Sequence, residues 1–458
     1  MIAETSKRRF LFAACFVALV ATSFAFIIRV MVMDQWQIAY GLSESQNGEI
    51  FGAGLWPFGI SIVLFSLIID RIGYGKSMIF AFVCHLASTV ILVMAKGYWG
   101  LYLGSFLNGL AAGTVEAVIN PAVASLYPRQ KTKMLTILHA GWPGGMVLGA
   151  LMILGLGAAG VAAWQVKVAV ILVPVVAYGI MLMKAHFPVS ERVAAGVSYR
   201  EMMAEAGALG MLIALYLIIV EVSRVLGMQP VYDGFIDIPA WPMFALLLVL
   251  VAAVLAYTKS LGRPMYVFLL VVMILLAITE LGTDTWIKEL MTPAMQKLGL
   301  NAGLVLVYTA TIMMILRFCI GPIEKALRPL GVLLASSLMA ALGLYGLSRA
   351  EGAMILLMAT VYGAGQCFFC PVTLGLISEQ FPRGGALTLN AIAGVGMLGV
   401  GILGSQLLGY WQDTNIDDQL GQRPALYAKV IDQNEKTSIF GSYKALDGNK
   451  VNTINDTV

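Results

Sequence analysis

Charge is scarce in this chain. Asp, Glu, Lys and Arg make up 12% of its 458 residues, against about 25% in an ordinary soluble domain. Too few charged side chains exist to cover a surface in water, and 59% of the residues are apolar. A lipid bilayer is the solvent that fits. Histidine is scarcer still, at three residues, and no His-Glu-x-x-His pair or Gly-x-Ser-x-Gly turn is present. Gly75-Lys76-Ser77 ends like a phosphate-binding loop, but the glycine that would open it is Asp70, so nucleotide binding is excluded. The chain reads as no enzyme, with no metal and no cofactor. A net charge of +4 is too small for a nucleic-acid surface. The five cysteines, Cys15, Cys84, Cys319, Cys367 and Cys370, all stand inside apolar runs and read as small core residues. Cys367-Phe-Phe-Cys370 has redox or zinc spacing but no second pair and no nearby histidine.

What the chain does have is long apolar runs. Runs of 18 or more fall near 10–33, 49–69, 77–95, 98–127, 135–160 and 163–185, then 208–227 and 240–257, then 264–289, 302–322, 328–348, 352–380 and 386–410. That makes thirteen candidate spans. Lys7, Arg8 and Arg9 precede the first as in a signal peptide, yet the run continues to Met33 without a small-residue cleavage site, so it reads as a retained span. With the amino terminus inside, sixteen Lys and Arg residues fall in inner segments and five in outer ones. This asymmetry supports a cytoplasmic amino terminus in a cell (inner) membrane, and it supports the span count too, because an error midway would scramble the later loops.

A weak internal repeat runs through the spans. Pro128-Arg129 after Tyr127 recurs as Pro382-Arg383 after Phe381, Leu135-Thr136 as Leu387-Thr388, and Gly144 and Gly149 as Gly396 and Gly401, the last three pairs at an offset of 252. Two helical halves of this kind are the signature of a secondary transporter whose substrate site lies between them. The organisation expected is a six-helix bundle over 1–190, then a cytoplasmic linker with two inserted helices over 191–262. A second bundle of five visible helices follows over 263–411, and a polar tail over 412–458, read as a loop before a further, missing helix. The fold class is an all-α membrane protein of two pseudo-symmetric bundles, the second one helix short.

Between the second and third spans stands Asp70-Arg71-Ile72-Gly73-Tyr74-Gly75-Lys76. This resembles the loop of the major facilitator superfamily that carries an Asp-Arg pair, a glycine and a basic residue. The resemblance implies a charge latch through Asp70, Arg71 and Lys76, in which an acid at a helix end meets a basic group and the dipoles of its neighbours. The fourth span runs Asn108-Gly109 through Glu116 to Asn120-Pro121, and the fifth Leu135 through His139 to Trp142-Pro143-Gly144-Gly145. A glutamate followed four residues later by Asn-Pro is similar to the fucose, galactose and glucose proton-symporter branch of that superfamily. His139 stands where that branch carries a glutamine. The resemblance implies proton symport by alternating access, with Glu116 and Asn120 in the site.

Ionisable residues inside spans point the same way. A charge at bilayer depth costs about 2.5–3.5 kcal/mol on insertion scales, so each should face a cavity or a partner. They are Arg29, Glu116, His139, Glu221, Arg224, Glu280, Asp284 and Arg317. Glu280 and Asp284 are four apart, on one helix face, where two carboxylates do not both ionise cheaply, so they form a candidate proton-sharing pair with Glu116 as a third coupling acid. His85 reads as a core histidine. A sugar site combines amides with aromatic faces. Trp56, Asn120, His139, Trp142, Trp286, Tyr362, Gln366 and Asn390 are the candidates. Arg29 opens an alternative, since a deep arginine in the first span also resembles the organophosphate and organic-anion branches. If it is free the solute is anionic; if it pairs with Glu116 the site suits a sugar. The primary expectation is a monomeric sugar:proton symporter, and a non-transporting membrane sensor that kept the fold is the remaining class. Gly141, Gly145 and Gly149 lie on one ridge and predict close helix packing.

Overall fold

A computed structural model describes residues 2–404 except 43, 232–237, 285–294, 296–302, 351 and 353, together with scattered positions of the tail. Among the described residues, twelve helices are long and apolar enough to cross a membrane. In chain order with one shorter apolar helix they are α1 (Ser6–Tyr40), α2 (Gln46–Ile72), α3 (Tyr74–Met94), α4 (Tyr98–Leu126), α5 (Lys131–Ala158), α6 (Trp164–Leu182), α7 (Tyr199–Val225), α8 (Trp241–Thr258), α9 (Pro264–Gly282), α10 (Leu304–Phe318, the short one), α11 (Ile320–Leu347), α12 (Met354–Gln380) and α13 (Pro382–Gly404). Each of the thirteen expected runs corresponds to one of these helices, with turns inside several of them at 53–55, 140, 170–171 and 367–368. In the tail, β1 (Lys436–Ser438) pairs antiparallel with β2 (Gly441–Tyr443).

Two expectations shift. The inner loop foreseen between α10 and α11 is helix, because α11 begins at Ile320 directly after Cys319. A break survives at Arg328 (φ 57°, ψ 162°), the residue before Pro329, where proline disfavours helical geometry in its predecessor. The cysteines are not all core, since Cys319 is exposed and Cys370 half-buried.

Small residues set the packing. Gly141, Gly145 and Gly149 on α5 face Phe16, Val20, Ser23, Phe24 and Ile27 on α1, and a Cβ at any of them would meet those side chains or their backbone. Gly109 and Gly113 bring α4 onto the backbone of Gly54 and Phe58 in α2. The most buried stretches of α4 and α13 are each 83% buried, against 11% for α8, so α4 and α13 form the centre and α8 faces lipid. The halves meet along two seams. α13 packs on α2 and α4, while α10 and the second part of α12 pack on α5. At the first seam Gly59 lies under Leu398 and Gly394 under Val63, which lets the helices approach closely. The extra helix α7 kinks at Gly207 (φ 60°), and there Ala208 N–H and Leu209 N–H donate to the carbonyls of Ser260 and Leu261 at 3.0 and 3.1 Å. Only glycine takes that positive φ freely while backbone lies against it.

Helix interruptions cluster at mid-membrane. α2 turns at Ala53–Leu55, α5 breaks at Ala140, α12 breaks at Cys367–Phe368, and α9 ends in a π-turn, Ile278–Gly282. Irregular backbone at this depth frees carbonyl groups that protein donors must satisfy.

Candidate functional site

Three of those interruptions surround one arginine. Arg317, near the end of α10, is 1% exposed. Its Nη2 donates to Glu280 Oε1 at 2.9 Å, its Nε to the Cys367 carbonyl at 2.7 Å and its Nη1 to the His139 carbonyl at 2.9 Å. One guanidinium thus ties the π-turn of α9, the break of α12 and, across the halves, the break of α5. Charge-assisted bonds of this kind are the strong ones. An arginine fork suits the task because its donors diverge at fixed angles.

The neighbouring side chains form a polar layer. His139 Nε2 lies 3.1 Å from Asn120 Oδ1. Gln366 Nε2 donates to Asp284 Oδ1 at 3.1 Å, and Asn390 Nδ2 donates to the Ala117 carbonyl at 2.9 Å. Glu116 is buried one turn before Asn120, within electrostatic reach of Arg317. Glu280 and Asp284 take different hydrogen-bond partners, Arg317 and Gln366. Asn120 Nδ2, Gln366 Oε1 and Asn390 Oδ1 are buried with no partner. Trp142 covers one side, its ring 6.3 Å from Phe58 in a stacked arrangement and 6.0 Å from Phe26.

Other candidates lie apart from this layer. Trp56 packs edge-on against Phe106 at 5.3 Å. Tyr362 donates its hydroxyl to the Thr279 carbonyl at 3.0 Å. His85 Nδ1 is bonded to Tyr178 OH at 2.8 Å inside the first half. Glu221 and Arg224 pair with each other at 2.6 Å on α7. Trp286 falls outside the described residues. Arg29 is 3% exposed and forms no ion pair among the described residues; it is not joined to Glu116, its guanidinium lies against Gly54, and its Nε has no partner.

At the loop face, Asp70 bonds Arg192 of the linker at 2.6 Å rather than a residue of its own loop. Arg71 lies over the Tyr199 ring, 5.3 Å from its centroid, and Lys76 is exposed. Lys131 bonds Glu191 at 2.7 Å and the Ser378 carbonyl at 3.0 Å, and Thr132 Oγ1 donates to Glu379 at 2.6 Å, so this face is shut.

The family model described as the Major Facilitator Superfamily matches residues 10–406. The chain belongs to that superfamily. It is a multi-pass membrane transporter, not an enzyme, and its substrates are small molecules bound within the membrane. No curated protein matches it by sequence. Among solved structures, the transporter is similar to the proton:xylose symporter XylE, at 16% identity over 91% of this chain and 90% of that one, TM-score 0.65. It also resembles the E. coli fucose:proton symporter FucP, at 14% over 88% and 92%, TM-score 0.61. The human organic anion transporter TETRAN matches at 13% over 87% and 92%, TM-score 0.60. At such identities these likenesses establish the fold.

Sequence reasoning named Arg317 as a buried charge but did not place it in the site, and it missed Arg192 as the partner of Asp70. A signal for Arg317 was present in the prolines. Pro143 and Pro371 lack the N–H groups that would bond the carbonyls of His139 and Cys367, which are the two that Arg317 takes.

Proposed function

We propose that the transporter moves a small neutral polyol of the sugar class together with a proton, by alternating access, as a monomer in a cell (inner) membrane with its amino terminus in the cytoplasm. The observation that carries the solute class is the unpartnered set in the polar layer, an amide donor on Asn120 and amide acceptors on Gln366 and Asn390. The amide orientations of Gln366 and Asn390 follow from the partners their other ends hold, Asp284 and the Ala117 carbonyl, and that of Asn120 goes with the His139 tautomer that donates from Nε2. A hydroxyl both donates and accepts, so a polyol satisfies such a mixed set, and the Trp142 face suits the C–H side of a ring. XylE and FucP, whose names give xylose and fucose with protons, support this reading.

Proton coupling rests on charge balance. Glu116 and Glu280, both buried, and the half-buried Asp284 are three carboxyls around one guanidinium, that of Arg317. Two negative charges in excess at bilayer depth are costly, so at least one carboxyl carries a proton. Protonating Glu280 weakens its pair with Arg317 and loosens the junction between the halves. The two outer elements, the 191–262 linker with its inserted helices and the 412–458 tail, are assigned no part in the cavity.

A second reading is favoured by Arg29. A buried guanidinium without an anionic partner is the arrangement that suits a carboxylate or phosphate on the solute. Uptake of labelled sugars and organic anions into proteoliposomes under an imposed pH gradient separates the two, with wild type compared to Glu116→Gln and Arg29→Gln. Sugar uptake indifferent to both the gradient and Glu116 sinks the primary reading. Anion exchange lost in Arg29→Gln promotes the second.

A further inference from the structure

A proline in a helix removes the N–H that would bond the carbonyl four residues earlier. Three carbonyls freed in this way carry a side-chain donor: Ala117 by Pro121, His139 by Pro143 and Cys367 by Pro371. A fourth that carries one, Ser378, is free because α12 ends at Gln380. Three of these bonds join the two halves. Asn390 of α13 reaches Ala117 of α4 at 2.9 Å, Arg317 of α10 reaches His139 of α5 at 2.9 Å, and Lys131 of α5 reaches Ser378 of α12 at 3.0 Å in the opposite direction. The donors are 4% exposed or less.

We propose that Pro121, Pro143 and the end of α12 at Gln380 make exchangeable latches, in which a helix carbonyl with no backbone partner holds a donor from the opposite half while the Lys131 face is shut. Asn390, Arg317 and Lys131 are then positioning residues for the conformational step. The physical reason is competition. A carbonyl already bonded to its own helix offers an incoming donor only a shared, weaker bond, whereas a freed carbonyl offers a whole one and costs desolvation if left alone. When the halves rock apart, water takes over each carbonyl and the latch is lost without unwinding a helix. Two latches lie at the polar layer and one at the loop face, so the bonds span the depth over which the halves separate. The proposal rests on the alternating-access reading above.

The test gives the Ala117 and His139 carbonyls their backbone partners back. Pro121→Ala and Pro143→Ala restore the missing N–H and leave every donor in place. The opening of the Lys131 face is read by electron-spin distances between labels at Lys76→Cys and Arg383→Cys, both exposed sites, in a Cys319→Ala, Cys370→Ala background. Each proline variant is expected to raise the open-to-shut ratio roughly three- to tenfold, the worth of one net hydrogen bond. Asn390→Ala should add little once Pro121→Ala is present, because both remove the same bond. The control is Pro174→Ala in α6, whose freed carbonyl on Val170 takes the Val173 N–H at 3.0 Å, and it should leave the ratio unchanged. If Pro174→Ala shifts the ratio as much as the other two, loss of a kink rather than of a latch is responsible and the proposal fails. It fails equally if Asn390→Ala and Pro121→Ala add in full, or if the donor variants open the face while the proline variants do not. A wild type whose label distance never changes with gradient or solute overturns the rocking reading itself, and the latches with it.

Discussion

Arg29 and Arg317 are both arginines buried at bilayer depth, 3% and 1% exposed, and they are held in opposite ways. Arg317 has a carboxylate and two freed carbonyls; Arg29 has no ion pair among the described residues and an orphaned Nε. Desolvating a guanidinium costs several kcal/mol unless geometry repays it. The repayment at Arg317 comes from interrupted helices, which present carbonyls that regular helix would have consumed. Arg29 points at the turn of α2, where Gly54 leaves room but supplies no anion. The difference separates an arginine bonded on three sides from one with no ion pair among the described residues.

The comparison breaks most readily through Arg317. Replacing it with Ala strands the Glu280 carboxyl and two carbonyls, so a loss of about 3–5 kcal/mol of stability is expected, together with collapse of gradient-driven uptake. Detergent thermal denaturation and proteoliposome uptake measure the two. A variant as stable as wild type contradicts the junction role. Arg317→Lys should recover charge but not the three-way fork, leaving uptake intermediate.

Arg29→Gln should move in the other direction. Removing an uncompensated cation that costs about 2.5–3.5 kcal/mol to bury should leave melting unchanged or raised. A melting loss as large as that of Arg317→Ala would mean that Arg29 has a structural partner, and the contrast would vanish.

Glu280→Gln sharpens the point by mimicking the protonated acid. Wild-type uptake is expected to rise as the pH of the loading side falls, since proton uptake releases Arg317; the variant should show a flat profile, with roughly tenfold less accumulation. A steep profile retained in Glu280→Gln would move the coupling proton to Glu116 or Asp284.

The smallest effect is expected at Asp70→Asn. Its pair with Arg192 is as short as any in the protein, but it lies at the loop face, where water reaches the released groups more readily than at the Arg317 junction. A loss of about 1–3 kcal/mol in holding that face shut is expected, read as faster labelling of Lys76→Cys or Arg383→Cys. An effect equal to that of Arg317→Ala would show that depth in the membrane does not decide the strength of such pairs.

Much of the fold was legible without coordinates. Apolar runs marked the helices, and the spacing of Gly141, Gly145 and Gly149 marked the α1–α5 seam, because both depend on periodicity along one chain. The loop between α10 and α11 was misplaced because Lys325 and Arg328 look like loop residues, while the helix continues through the first and breaks at the second. Asn120 and His139 were each legible as site candidates, but not their contact with each other. The partner of Asp70 was not, because Arg192 is 122 residues away and nothing in the motif points to it.

By itself the sequence determined the solvent, the number and polarity of the helices, and where prolines and charges interrupt them, since each of these follows from local composition. Only the tertiary structure decided which buried charge is spent and which is free. Arg317 meets the His139 carbonyl across 178 residues and Asn390 meets the Ala117 carbonyl across 273. Such pairings depend on how the two halves are set against each other, and a hydrogen bond is lost over an error of about 1 Å, which no one-dimensional pattern specifies.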